Sequence, residues 1–171
     1  MTDIVTRAIE SLRGFPMELE NLIGHLSATH VRIRPSLDSW SIIEIAGHLT
    51  DAERVMRERI VQICSTDTPL IVPFDQDASV RQQRYHEAEL HRMIRTLHQE
   101  RQTTLAYVTQ LRPVDFARTG WHPEVGILRV DMMLEYLAKH DYQHYRHIHV
   151  ILRHIAKIDA APVNEGTHIH A

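Results

Sequence analysis

The chain has 171 residues, 43% of them hydrophobic and 24% charged, with a formal net charge of −3 when histidine is neutral. That length and balance fit one soluble globular domain with its own core, and they exclude a basic nucleic-acid-binding surface and an acidic tail. Histidine is the outlier, at 14 residues against 3 Phe and 2 Trp, and points towards metal binding or a pH response.

Cys64 is the only cysteine, which rules out an internal disulfide framework and a Cys-rich zinc site and suits a reducing cytosol. No His–Asn or His–Asp pairing signature surrounds it, so a half-buried residue near a helix end is the expected role. The N-terminus lacks an apolar leader, and no apolar run approaches the ~20 residues of a membrane span. A cytoplasmic protein without membrane or nucleic-acid partners is expected.

Residues 3–13 place Ile4, Val5, Ala8, Ile9 and Leu12 at helical spacing, and residues 16–26 repeat the pattern with Met17, Leu19, Leu22, Ile23 and Leu26. Gly14 and Pro16 between them predict two short helices, or one long helix broken and bent there. Residues 27–40 read as a polar loop ending in Pro35-Ser36-Leu37-Asp38-Ser39-Trp40. Ser41 and Glu44 then have the spacing of a capping box. The helix they open runs to about Cys64, with Ile42, Ile45, Leu49, Ala52, Val55, Met56, Ile60 and Ile63 facing inward. His48 lies on or beside that stripe.

Residues 65–79, with two prolines, form a connection long enough to act as a lid or pocket wall, although a plain bundle crossover is the commoner outcome at this length. A third long helix is predicted from about Ser79 to Leu111, ended by Arg112-Pro113. Residues 113–127 make a further connection containing Trp121 and His122. The last helix, 130–155, carries Met133, Leu134, Leu137, Ile148, Ile151 and Ile155 on one face. The domain is therefore expected to span residues 1–158, with 159–171 a flexible tail. No period-two alternation signals a strand. Four long amphipathic segments with sizeable links predict an all-α fold, a four-helix bundle with long crossover connections.

His140 and His144 fall on the inward stripe of the last helix. Two residues four apart differ by ~40° around a helix axis, so both imidazoles can face one ion. A third ligand must come from another element, and His48 is the other mid-helix histidine near a core stripe. Three histidines with an open fourth position make a catalytic type of metal site. Neutral imidazole suits Zn or Ni foremost, and also Fe, Co or Mn. Glu44, Asp51 and Asp141 are near enough in sequence to orient ligand imidazoles or act as a base, but the plainer role is the expected one for each: capping partner for Glu44, solvated helix charge for Asp51 and Asp141. Trp40, Trp121 and His122 lie on loops that could line a pocket.

The stretch Trp40-Ser41-Ile42-Ile43-Glu44-Ile45-Ala46-Gly47-His48-Leu49 resembles the first signature of the DinB/YfiT-like metalloprotein superfamily. Leu137-Ala138-Lys139-His140-Asp141-Tyr142-Gln143-His144 resembles its second, His-x-x-x-His, and together the likeness covers roughly residues 15 to 156. The resemblance implies a four-helix bundle in which His48, His140 and His144 hold a divalent metal in a cleft at one end, commonly as a homodimer. It further implies a thiol-dependent S-transferase acting on a small-molecule substrate with a low-molecular-weight thiol as cosubstrate. A metal-dependent hydrolase, or a non-catalytic stress-response dimer, is the alternative. His147 departs from the family pattern, in which many members carry Gln, and is expected at the edge of the site.

Overall fold

A computed structural model describes residues 3–160 of the chain. Its helices are α1 (Asp3–Ile23), α2 (Ile42–Ser65), α3 (Gln76–Gln83), α4 (Leu90–Val108) and α5 (Val130–Asp159). Strands β1 (Thr119–His122) and β2 (Gly126–Arg129) form an antiparallel hairpin between α4 and α5. The four long helices make the bundle. α1 and α2 each pack on both α4 and α5, so α1 and α2 occupy opposite corners although consecutive in the chain. Residues 24–41 carry the chain across, which is the expected long crossover.

Local chemistry accounts for the helix ends. Glu44 reaches back to the Ser41 amide at 2.9 Å, closing the capping box that opens α2. The Asp75 and Glu89 side chains accept from the first free amides of α3 and α4.

Three expectations need correction. α1 runs unbroken through Pro16, because its apolar residues on both sides of the proline stay buried on one face. The predicted helix from Ser79 to Leu111 is instead α3, a 3-10 turn at Tyr85–Glu87, and α4. The break falls at Arg84, which takes a left-handed conformation (φ 52°), and at the Glu89 cap. Finally, residues 119–129 form the hairpin, whose four-residue strands are too short to print a clear alternation in the sequence. α5 reaches Asp159, and the expected tail beyond Ala160 lies outside the described residues. No described helix is long and apolar enough to cross a membrane.

The core is in two apolar halves. One gathers Leu19, Ile42, Ile45, Ile94, Leu97, Ile148 and Ile151; the other gathers Leu12, Ile60, Ile63, Val108, Val130, Leu134 and Leu137. Between them lies a polar belt. Arg101 of α4, 1% exposed, donates at 2.8 Å to Glu53 of α2, to Asp141 of α5 and to the Leu12 carbonyl of α1. That carbonyl is free because its helical partner would be the N–H of residue 16, and proline has none. One guanidinium thus ties all four helices together.

Candidate metal centre

His140 and His144 lie at mid-length in α5, and His48 lies in the second turn of α2. α5 supplies His140 and His144 one turn apart, and α2, packed against it, supplies His48. The His140 Nε2 lies 3.0 Å from His48 Nε2 and 3.2 Å from His144 Nε2, and ligand nitrogens of all three lie within 4.8 Å of one another. Nitrogens bound at about 2.0–2.1 Å to one ion stand ~3.3 Å apart in a tetrahedron and ~2.9 Å apart in cis octahedral positions. The two spacings to His140 fall in that range.

Electrostatics agree with a ligand role. Burial, reinforced by the neighbouring imidazole, lowers the pKa of His48 to about 3, of His140 to about 4 and of His144 to about 3. All three are neutral at physiological pH, the form that binds metals. Three neutral rings turned nitrogen to nitrogen cannot all be satisfied by sharing protons, whereas one cation satisfies three lone pairs. Each Nδ1 is buried without a hydrogen-bond partner among the described residues, so packing orients the rings. Trp40 stacks on His144 (6.2 Å, 10° between planes) and leans over His48 at 4.8 Å, while Tyr136 flanks His140 at 6.0 Å.

The acidic residues singled out from the sequence are engaged elsewhere. Glu44 holds the Ser41 cap and the Arg34 guanidinium. Asp51 accepts from the Tyr85 hydroxyl at 2.6 Å and from Ser79 at 2.7 Å, fixing the α3 segment to α2. Asp141 binds Arg101, and burial raises its carboxyl to about 7, with Arg101 pulling the other way. His147 is half-buried and near enough to depress the pKa of His144, but it stands outside the converging trio. Cys64 is half-buried at the end of α2, and burial raises its thiol pKa.

A cavity of about 450 Å³ opens onto two of the three histidines, His48 and His140, and is lined as well by side chains of α2, α5 and the hairpin. Phe74, in the link after α2, and Gln76, the first residue of α3, line it too. His122 lines the cavity, Trp121 turns outward at 49% exposure, and Trp40 backs the histidines. Sequence reasoning missed Arg101, Glu53 and Tyr136. A signal existed for the first two: 97, 101, 104, 108 and 49, 53, 56, 60 are inward stripes with one charged residue each.

Comparison with known proteins places this arrangement. A curated protein of Oceanobacillus iheyensis, provisionally named a metal-dependent hydrolase, is 24% identical over 148 residues, covering 85% of this chain and 84% of the relative. The solved structure of YfiT from Bacillus subtilis superposes with a TM-score of 0.84 at 19% identity, covering 91% of this chain and 90% of that one. YfiT is described, again provisionally, as a metal-dependent hydrolase with an unusual four-helix bundle topology. The family model of the DinB superfamily matches residues 11–148, and this chain belongs to that superfamily.

Proposed function

We propose that this chain is a metal-dependent enzyme of the hydrolase type, with its divalent ion held by His48, His140 and His144. The observation that carries the reading is the convergence of three imidazoles, His48 and His140 buried and His144 half-buried, with their Nε2 atoms turned together beside a cavity that admits a small molecule. A divalent ion in that position would supply Lewis acidity and acidify water at neutral pH. The chain's own part is to hold the three rings by aromatic packing, to keep them deprotonated by burial, and to line the open side with largely apolar side chains. Zn and Ni are the foremost candidates, then Fe, Co and Mn. The relatives' names favour hydrolysis over the S-transferase chemistry expected from the resemblance, in which a small thiolate would use the same open position. Homodimerisation and a cytoplasmic setting complete the proposal.

The experiment is metal analysis of untagged protein, followed by an activity panel of esters, amides and electrophiles with and without a small thiol. Wild type should carry one equivalent of metal per chain and His144→Ala much less. Metal absent from wild type, or undiminished in the variant, refutes the site. Turnover that depends on added thiol converts the reaction to the transferase type. Sedimentation velocity tests the dimer.

A further inference from the structure

The cavity beside the trio has a composition that says what fits it. Its wall is built from Val55, Met56, Phe74, Met132, Met133 and Leu137, and it continues outward over Val125 and Ile127, 66% and 65% exposed. Its charged lining residues, Arg59 and Glu124, are one of each sign, and Arg59 already donates to the Val72 carbonyl at 2.9 Å. An apolar wall disfavours charged or heavily hydroxylated bodies, whose polar groups would lose water without replacement.

One polar side chain stands apart. His122 is 5% exposed on the inward side of β1, where alternation turns Gly120 and His122 in and Trp121 out. Bonds from the Trp121 N–H to the Pro69 carbonyl (2.8 Å) and from the Ile71 N–H to the Trp121 carbonyl (2.7 Å) clamp the strand against residues 69–71. Gly120 permits that close seat, because a Cβ there would press on Ile63 and Ile71. The His122 Nδ1 accepts the Glu124 N–H at 3.2 Å. That bond assigns the proton of the neutral ring to Nε2, leaving an N–H donor on a rigid strand at the cavity.

We propose that the cavity binds a small molecule with an uncharged apolar body, an acyl or alkyl group of several carbons, whose carbonyl-type head lies between the histidine trio and His122. The His122 Nε2–H donates to the head oxygen and the apolar wall takes the body. This rests on the metal-dependent reading, since the trio forms the other side of the head's seat.

The test uses the full chain loaded with metal, titrated calorimetrically with n-alkanohydroxamates from acetyl to octanoyl. Each added methylene should tighten binding about fourfold until the cavity is filled. His122→Phe keeps a flat ring without the donor and should weaken every member about tenfold. His122→Gln, which offers an amide N–H at a similar reach, should restore most of that loss. Should the Phe variant melt early, the chain-length series and the Gln variant carry the test. Affinity flat across the series, or equal losses in both variants while metal remains stoichiometric, overturns the proposal and leaves the metal centre standing. Absence of both metal and hydroxamate binding overturns both.

Discussion

Replacing Arg101 by methionine removes the one cation of the buried belt and keeps an unbranched chain in its place. Three bonds of 2.8 Å are lost, and Glu53 and Asp141, 0% and 2% exposed, face each other without a counter-charge. Removing one partner of a buried ion pair costs about 3–5 kcal/mol, and an unpaired carbonyl such as that of Leu12 adds ~1–3 kcal/mol. Protonation of Asp141, whose pKa is already about 7, relieves part of this, so a net loss of about 3–5 kcal/mol is expected. Domains of this kind are stable by roughly 5–15 kcal/mol in all. Urea unfolding of chelator-treated protein at neutral pH is the assay, since bound metal would mask the loss. With a slope of about 2 kcal/mol per molar, the midpoint should fall by roughly 2 M. The triple variant R101M/E53Q/D141N leaves no uncompensated charge and should recover at least half of the shift. A midpoint within about 0.5 M of wild type for R101M alone would refute the argument that the belt is an obligatory ionic joint.

Acid should destabilise the metal-free protein. The three ligand histidines have folded pKa values of about 3 to 4 against 6.5 unfolded, so the unfolded chain takes protons first and stability drains away as pH falls from about 6.5 towards 3. Asp141, at about 7 folded against 3.8 unfolded, has the opposite sign between those values and offsets one histidine. The net slope is up to ~2.7 kcal/mol per pH unit, and equal urea midpoints at pH 7 and pH 5 would contradict it. Gly47→Ala should cost about 1–3 kcal/mol, because a Cβ there overlaps the Tyr85 ring whose hydroxyl binds Asp51; thermal melting measures it. His147→Ala should keep full metal content by elemental analysis, in contrast to His144→Ala.

Much of this molecule is legible from spacing. The four amphipathic stretches, the Ser41–Glu44 cap and the inward placement of His48, His140 and His144 all follow from helical periodicity. What spacing could not supply were the events decided by single backbone conformations or by distant partners. Arg84 leaves the helical region although Gln82 and Gln83 before it are good helix formers, and that divides α3 from α4. The hairpin depends on a docking strand, residues 69–71, some fifty residues away in the chain. Pro16 reads locally as a helix start, yet tertiary packing overrides it. Arg101 and Glu53 were visible as stripe positions, but their pairing needs the bundle's corner arrangement, which no local pattern contains.

Apolar stripes of Leu and Ile are forgiving. Two such helices can slip past each other by one turn, ~5.4 Å, and still bury similar surfaces. The belt forbids that slip. Arg101 must meet Glu53, Asp141 and the carbonyl freed by Pro16 at one height, so it sets the axial register of all four helices, as a single buried polar residue sets register in coiled coils. Asp141 is the neighbour of His140, and Glu53 lies little more than a turn beyond His48. The alignment that brings three imidazoles from two helices to one point is therefore inherited from an ionic joint whose own hydrogen bonds go to none of them. Loosening that joint should blur the centre before the fold is lost.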